Sequence, residues 1–178
     1  MIANEPAHKL FFALWPDDAA RQALARLQEP VRGRLVPPEK LHLTMAFLGR
    51  QPADALPVLL GILHAVPLPP LQLDIDCYGY FKRPRIAWAG MRQPPAALLA
   101  AQTTLMQQLE AAGFSAATHG AFKPHITLAR EAKEAPAALD GAPVTWKVAG
   151  LALVESRPDG TYAPLALSAT GAAAGSAT

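Results

Sequence analysis

One five-residue pattern occurs twice in the chain: residues 42–46 read HLTMA and residues 125–129 read HITLA. Each copy is a His, an aliphatic residue, a Thr, a second aliphatic residue and an Ala. Each copy also follows a strand-like run, a helix-like run and a loop, and the two strand-like runs read FFALW and RIAWA. The chain is therefore predicted to contain two copies of one strand–helix–strand unit, related by an approximate two-fold axis that brings the two motif strands together.

The spacing within the pattern assigns its polar residues to one face of a strand. Alternate side chains of a β-strand share a face, so His42 is expected to point the same way as Thr44, and His125 the same way as Thr127. The residues between them are aliphatic, so the opposite face is expected to pack against helices. The polar faces of the two strands are then free to line one cleft.

Two histidines and two threonines around one cleft are typical of phosphoryl chemistry. Imidazole has an unperturbed pKa near 6.5, so one His can accept a proton while the other donates one near neutral pH. Displacement at phosphorus is in line, so acid and base must stand on opposite sides of the phosphate, and Thr hydroxyls can donate to its non-bridging oxygens. A single His-x-Thr is more simply a structural feature of a strand, since Thr favours strands. Two copies in a duplicated order favour the chemical interpretation.

The rest of the pattern predicts a mixture of strands and helices in a single domain over 1–170. Predicted strands cover residues 9–15, 33–36, 42–49, 71–78, 85–90, 125–130, 144–156 and 162–168. Predicted helices cover residues 16–28, 51–64 and 94–112. Residues 131–143 are expected to be irregular, and the low-complexity tail 171–178 is expected to be disordered.

Charge and composition exclude several classes of protein. The net charge of +2 is too small for a general duplex-DNA binder, although a nucleic-acid end or a small anion remains a suitable ligand. One cysteine allows neither an internal disulfide nor a cysteine-based zinc site, and the two motifs lack nearby carboxylates, so no metal is predicted. The sequence shows neither a signal peptide nor a long apolar span, which predicts a cytoplasmic protein with no membrane contact.

With these motifs, the chain resembles the bacterial and archaeal RNA 2′,3′-cyclic phosphodiesterases of the two-histidine (2H) phosphoesterase superfamily, historically called 2′-5′ RNA ligases. The resemblance extends from KLFFALWPDD through LHLTMAFLG, GYFKRPRIAWAG and FKPHITLAR to LALVESRPDGTYAPL. It implies a bilobal, duplicated α+β fold, with two antiparallel sheets lining a central groove and helices outside. It also implies hydrolysis of a terminal 2′,3′-cyclic phosphate to a 2′-phosphomonoester, without metal or cofactor.

The resemblance assigns roles to individual residues. His42 is the expected proton donor to the leaving 3′ oxygen, and His125 is the expected proton acceptor that activates water. Thr44 and Thr127 are expected to hold the phosphate oxygens. Arg130 resembles a phosphate contact, but it lies five residues after His125, so a regular strand would point it to the opposite face. It can contribute only where the strand ends, bulges, or lets its long side chain reach round the edge.

Substrate contacts outside the two motifs are less sharply indicated. Phe47 is the first candidate for stacking on a base, with Tyr80 or Phe81 and Phe122 as further candidates. Lys82, Arg83 and Arg85 either steer the RNA backbone or form a solvated loop. The expected partners are RNA ends or small nucleotides that bear a 2′,3′-cyclic phosphate, and a monomer is the expected state.

Two other functions remain open at this stage. One is 2′-5′ RNA ligation at the same site, and the other is an RNA- or nucleotide-binding module without turnover. Intact His and Thr in both motifs argue against the binding module, because binding alone needs no matched acid and base. Hydrolysis is favoured over ligation because ligation requires two RNA ends in the groove and exclusion of water.

Overall fold

The computed structural model describes residues 7–116 and 120–171, and within them helices and strands alternate along the chain. The helices are α1 (Asp18–Arg26), α2 (Leu56–Ala65) and α3 (Ala96–Ala111). The strands are β1 (Ala7–Leu14), β2 (Arg34–Leu35), β3 (Leu43–Pro52), β4 (Gln72–Ile75), β5 (Cys77–Phe81), β6 (Ile86–Gly90), β7 (His125–Arg130), β8 (Val144–Lys147), β9 (Gly150–Ser156) and β10 (Tyr162–Ala169).

The strands form two antiparallel sheets. The 8-stranded sheet has the order β10-β9-β1-β3-β7-β6-β5, with β2 paired to β7, and β4 and β8 form a 2-stranded sheet. The predicted α+β class with antiparallel sheets is therefore confirmed. At the centre of the large sheet, β1 pairs with β3 and β6 pairs with β7, so each motif strand lies beside the strand-like run that precedes it in its own repeat.

The two halves of the large sheet meet at a narrow junction between the motif strands. Among the described residues, β3 and β7 pair only through Leu43 and Ile126. Both side chains are 0% exposed, so they point into the core. The neighbouring positions of both strands must then face the opposite side of the sheet, which is where the functional groove lies.

The core covers the other face of the sheet. One apolar cluster unites Leu24 of α1, Leu63 of α2 and Leu105 of α3 with Leu43 and Ile126 of the junction. This burial supplies the main stabilising term of a domain of this size. Because the junction is part of this cluster, core packing also fixes the relative position of the two motif strands.

Helix α1 begins where the sequence signals predict. The Asp17 side chain caps it, accepting a hydrogen bond from the backbone N–H of Ala20 at 2.8 Å, which satisfies one donor of the first turn. Helix α2 begins later than predicted, at Leu56. Pro52 and Asp54 are typical helix-start residues, but β3 continues to Pro52 because its end pairs with Ala7 of β1. Ala53–Ala55 then form a short 3₁₀ turn with Pro52 at its N-cap and Asp54 in its first turn, so the local signal still starts the helical turn that leads into α2.

Two segments predicted as single strands are each divided. Residues 71–78 form β4 and β5, and residues 144–156 form β8 and β9. The first break is at Asp76, whose backbone N–H donates to the Gly90 carbonyl at 3.0 Å and whose carboxylate accepts from the Arg92 N–H at 2.9 Å. Apolar residues alternate without interruption across this break, so the sequence pattern does not reveal the change of sheet.

Most of the predicted disordered tail, residues 172–178, lies outside the described residues. Gly171 itself donates from its backbone N–H to the Leu68 carbonyl at 2.9 Å. Across 7–116 and 120–171, no helix combines the length and the apolar character that a bilayer crossing requires.

Candidate active site

Each motif histidine is held by the backbone carbonyl two residues before it. His42 Nδ1 lies 2.6 Å from the Lys40 oxygen, and His125 Nδ1 lies 2.8 Å from the Lys123 oxygen. A carbonyl oxygen can only accept, so Nδ1 carries the proton and donates it. In both histidines Nε2 is therefore the nitrogen that can exchange a proton with a ligand.

The junction pair fixes how the two motifs face each other. Because Leu43 and Ile126 are antiparallel partners, the next positions outward place His42 beside Thr127, and Thr44 beside His125. His42 Nε2 also lies 2.9 Å from the Thr44 hydroxyl oxygen, which confirms that this His and Thr share a face. The four polar side chains of the two motifs thus meet around one point of the sheet.

Two adjoining cavities open at this point. The first, called here the cation-lined cavity, measures about 270 Å³ and contains His42, Thr44 and Thr127. The second, called here the apolar cavity, measures about 670 Å³ and contains Thr44 and His125. The two cavities share Thr44 and Phe47, so a ligand centred on Thr44 would have one histidine on each side.

The two cavities differ in character. Four cations line the first: Lys9, Arg34, Lys40 and Arg130. Apolar side chains dominate the second: Met45, Phe47, Phe81, Met106 and Phe122. An anionic ligand is therefore better accommodated on the His42 side, although Arg83 and Lys123 also border the second cavity.

Arg130 reaches the cation-lined cavity because β7 is irregular. Trp88 of β6 pairs with Thr127 and Ala87 pairs with Ala129, so Leu128 is an extra residue on β7. Leu128 is 0% exposed, as is Ala129, and the alternation of faces reverses between them. A bulge, one of the three conditions under which Arg130 was expected to contribute, is thus present.

Gly33 lets β2 approach this end of β7. Its φ is +143°, and a Cβ atom there would lie 2.9 Å from the Arg130 carbonyl oxygen. A side chain would therefore push the strands apart. With glycine in place, Arg34 pairs directly with Arg130, and both residues line the same cavity.

His42 is enclosed by aromatic rings. Its ring centroid lies 4.9 Å from that of Phe11, 5.6 Å from that of Tyr162 and 5.9 Å from that of Trp15. Burial lowers the pKa of His42 to about 4, and the positive charges of Arg21 and Arg130 act in the same direction. The hydrogen bond to the Lys40 carbonyl opposes this shift. In the free protein His42 is therefore neutral at pH 7.

His125 has a similar environment in the other half of the sheet. Its ring lies 5.0 Å from that of Phe81 and 6.0 Å from that of Trp88. Burial lowers the pKa of His125, and the nearby Lys123 ammonium acts in the same direction. That ammonium lies 5.0 Å from the Trp88 ring, as the Lys40 ammonium lies 4.8 Å from the Tyr162 ring. Each motif thus has a lysine on an aromatic ring beside its histidine.

One contact of His42 has no counterpart at His125 among the described residues. Trp15 stacks on the His42 ring at an interplanar angle of 23°, and the Arg21 guanidinium lies over Trp15, 5.1 Å from its ring. Arg21 also donates to the carbonyls of Pro38 at 2.6 Å and Leu41 at 3.2 Å. These bonds hold the turn that carries the Lys40 carbonyl, so Arg21 is a positioning residue for His42.

We expect Arg21→Ala to raise the pKa of His42 from about 4 toward 6.5. The substitution removes one of the positive charges that lower this pKa, and it exposes Trp15, which stacks on His42, to water, so burial, the main cause of the low pKa, weakens. Titration of the imidazole signals by NMR measures this shift. His125 is the internal control, because Arg21 is not among the groups that affect its pKa. An unchanged His42 titration would show that the remaining rings alone hold the pKa down.

Several residues that complete the site were not predicted from the sequence. Lys40 had a signal, because the repeat extends two positions upstream to KLHLTMA and KPHITLA. Phe11, Trp15 and Tyr162 had none, because strand pairing alone brings them to His42. Of the predicted aromatic residues, Phe47 borders both cavities and is 41% exposed.

Of the other residues predicted to contact the substrate, some line a cavity of the site and others do not. Phe81, Phe122 and Arg83 line the apolar cavity. The Tyr80 hydroxyl donates to the Ala132 carbonyl at 2.6 Å, which is a structural role. Lys82 and Arg85 are exposed and border neither cavity. In the described ranges no three His, Cys, Asp or Glu side chains gather closely enough to hold a metal ion.

The chain is similar to known proteins in both sequence and structure. The model of the 2′-5′ RNA ligase superfamily matches residues 15–160. The RNA 2′,3′-cyclic phosphodiesterase of Escherichia coli (strain K12) is 37% identical over 136 residues, 74% of this chain and 76% of that protein. The protein of the same name from Thermus thermophilus is 35% identical over 164 residues, 83% of this chain and 81% of that protein. The structure of E. coli LigT complexed with 3′-AMP superposes with a TM-score of 0.77 at 31% identity, covering 93% of this chain and 99% of that one.

Proposed function

The chain belongs to the 2′-5′ RNA ligase superfamily, and we propose that it hydrolyses a 2′,3′-cyclic phosphate at an RNA end with His42 as proton donor and His125 as proton acceptor. It is a phosphodiesterase, like its Escherichia coli and Thermus thermophilus relatives. The observation that supports a paired acid and base is the matched orientation of the two histidines, and the family resemblance assigns which of them donates. Each donates from Nδ1 to a backbone carbonyl, which leaves Nε2 for proton exchange, and in the free protein His42 Nε2 lies 2.9 Å from the Thr44 hydroxyl oxygen.

The reaction requires one proton to be taken up and one to be released. His125 Nε2 accepts a proton from water, and the resulting hydroxide oxygen forms a bond to phosphorus. The bond from phosphorus to the 3′ oxygen breaks, and His42 Nε2–H donates its proton to that oxygen. The product is a 2′-phosphomonoester with a free 3′ hydroxyl, and the two imidazoles have exchanged their protonation states.

The remaining polar groups stabilise the charge on the phosphate. The Thr44 and Thr127 hydroxyls lie on the two motif strands, where each can donate to a non-bridging oxygen. Arg130 lies in the same cavity as Thr127 and supplies a positive charge. Phe47, exposed between the two cavities, offers a ring on which a base can stack.

Substrate binding favours protonation of His42, which takes its proton from the solvent. In the free protein both histidines favour the neutral form because burial lowers both pKa values. A phosphodiester anion beside His42 stabilises the imidazolium and so raises its pKa. The acid is therefore expected to become charged only when the substrate is in place.

The proposal also covers the kind of substrate that the protein binds, its oligomeric state and its location in the cell. A 3′-AMP complex is known for E. coli LigT, which supports a nucleotide end as the group bound here. RNA ends and small cyclic nucleotides both carry the 2′,3′-cyclic phosphate that the groove is proposed to bind. The monomeric state, the cytoplasmic location and the metal-free reaction stay predictions from the sequence.

We expect the purified protein to convert adenosine 2′,3′-cyclic phosphate into adenosine 2′-phosphate in the presence of a chelator. Acid–base catalysis by two histidines needs no metal, and protonation of the 3′ oxygen specifies the 2′ isomer. Chromatography of the products separates the two phosphate isomers. Formation of the 3′ isomer would show that the 2′ oxygen is the leaving group. Inhibition by the chelator would contradict the metal-free mechanism. No turnover of mononucleotides or RNA ends by the folded protein would favour a binding module.

A further inference from the structure

We propose that the cation-lined cavity contains a second phosphate subsite, formed by Lys9 and Arg34, which binds the internucleotide phosphate on the 5′ side of the terminal ribose. The subsite rests on the proposed function, because it concerns how the substrate of that reaction lies in the groove. It implies that the enzyme prefers an oligonucleotide end to a mononucleotide that bears the same cyclic phosphate.

The charge of the cavity exceeds what one phosphate needs. A cyclic phosphodiester carries a single negative charge, and Thr44, Thr127 and Arg130 already provide two hydroxyls and one cation for it. The cavity contains three further cations, and none of the residues that line it is Asp or Glu. Unbalanced positive charge in a concave site attracts a further anion.

Lys9 lies at a suitable distance from the reacting group. It is two residues before Phe11 on β1, so the two side chains share a face about 7 Å apart along the strand. The Phe11 ring contacts the His42 ring, which places Lys9 beyond the scissile phosphate. The Lys9 ammonium lies 6.0 Å from the exposed Phe47 ring, and its strand partner Ser156 borders the same cavity. A hydroxyl and an ammonium are thus available together.

Arg34 lies on the neighbouring side of the cavity. It pairs with Arg130 across β2 and β7, so it extends the row of positive charge outward from the catalytic phosphate. Its Nε lies 3.4 Å from a Glu131 carboxylate oxygen, but both side chains are more than 60% exposed. An ion pair so exposed is weak, and the two terminal nitrogens of the guanidinium remain able to bind a phosphate in bidentate fashion.

The role of His42 as proton donor gives the RNA its direction. The leaving 3′ oxygen belongs to the terminal ribose, so this ribose must lie on the His42 side of the phosphate. His42 lines the cation-lined cavity, whereas His125 lines the apolar cavity. The 5′ oxygen of the same ribose, and the phosphate attached to it, therefore extend into the cavity that contains Lys9 and Arg34.

This assignment differs from the sequence expectation for the RNA backbone, which pointed to the loop with Lys82, Arg83 and Arg85. Arg83 borders the apolar cavity, on the side of the attacking water. A backbone bound there would place the terminal ribose next to His125 and not next to His42. The two assignments therefore predict different variants to be defective.

Three substrates isolate the contribution of the second phosphate: adenosine 2′,3′-cyclic phosphate, the same nucleotide with a 5′-phosphate, and the dinucleotide ApA with a 2′,3′-cyclic end. For the wild type we expect kcat/KM to be roughly tenfold higher for the two that carry the extra phosphate. Lys9→Met and Arg34→Gln should each reduce this preference by about tenfold. Each should also weaken the salt dependence of log kcat/KM for the dinucleotide, by about 0.7 per lost contact.

Matched variants distinguish the subsite from a general charge effect. Lys147→Met removes the same charge from an exposed position on β8, and it should leave the preference unchanged. A wild type that does not distinguish the three substrates would reject the subsite while leaving the hydrolytic function in place. If Arg83→Gln abolishes the preference, the subsite is also rejected, because the RNA backbone would then lie on the His125 side of the phosphate. If the wild type hydrolyses none of the three, the proposed function fails, and the subsite fails with it.

Discussion

His42→Ala and His125→Ala are each expected to reduce the turnover of adenosine 2′,3′-cyclic phosphate by about 10²–10⁴-fold. His42→Ala removes the proton donor to the 3′ oxygen, so this oxygen must leave as an alkoxide. His125→Ala removes the group that deprotonates water. The loss should appear in kcat, because each imidazole acts on the transition state more than on the bound substrate. Steady-state kinetics at saturating substrate measure it.

The controls for these variants test location and folding. His64→Ala changes an exposed His of α2, away from both cavities, and should retain wild-type turnover. Thermal unfolding of each variant verifies that the loss of activity is not a loss of structure. If acid and base act as a unit, the double variant should lose little more than the worse single variant. Activity that survives either single substitution would place the chemistry at other residues.

Gly79→Ala is expected to combine a large loss of activity with a loss of stability. Gly79 pairs with Trp88 across β5 and β6, and a Cβ atom there would lie 2.0 Å from the indole ring. Trp88 must therefore move, although Phe81 and His125 pack against it. Overpacking of this kind costs about 1–3 kcal/mol of unfolding free energy. A displacement of His125 by about 1 Å lowers kcat on the order of 10²-fold.

Gly61→Ala is the matched control for this substitution. Gly61 belongs to α2, and among the described residues no atom outside its chain neighbours and the backbone of its own helix lies within 4 Å of a Cβ built there. Alanine should stabilise this helix by roughly 0.5–1 kcal/mol and leave kcat unchanged. Chemical denaturation gives the unfolding free energies, and the same samples give kcat. A Gly79→Ala enzyme with normal stability and normal kcat would show that Trp88 can rotate without disturbing His125.

The motifs and their duplicated order were readable from the sequence because they depend on short-range periodicity. A His and a Thr two positions apart share a face of any strand, and His42 with Thr44 shows this directly. The strand and helix content followed from the same periodicity, and the antiparallel α+β fold followed from the family resemblance. For Arg130 the sequence left a strand end, a bulge and a side chain reaching round the edge as alternatives, because alternation of residue types cannot show where an extra residue is inserted.

The residues that surround His42 could not be predicted, because long-range strand pairing brings them together. Phe11 and Trp15 lie near the start of the chain and Tyr162 near its end, and only the β3–β1–β9–β10 order brings them beside one imidazole. The prediction of a single strand over residues 71–78 was wrong for a related reason. The change of sheet at Asp76 depends on hydrogen bonds to Gly90 and Arg92, which are distant positions in the sequence.

The matched carbonyl contacts of the two histidines have a consequence for the direction of the reaction. Both imidazoles are held through Nδ1 by the same backbone arrangement, so in the proposed mechanism neither Nε2 is restricted to the role of acid. By microscopic reversibility, the forward reaction leaves each in the state that the reverse reaction requires. An RNA hydroxyl that replaces water beside His125 could then attack, or be expelled, through the same transition state. Whether phosphodiester bonds are broken or made is thus set by the molecule that occupies the His125 side, and by the relative abundance of water and RNA ends.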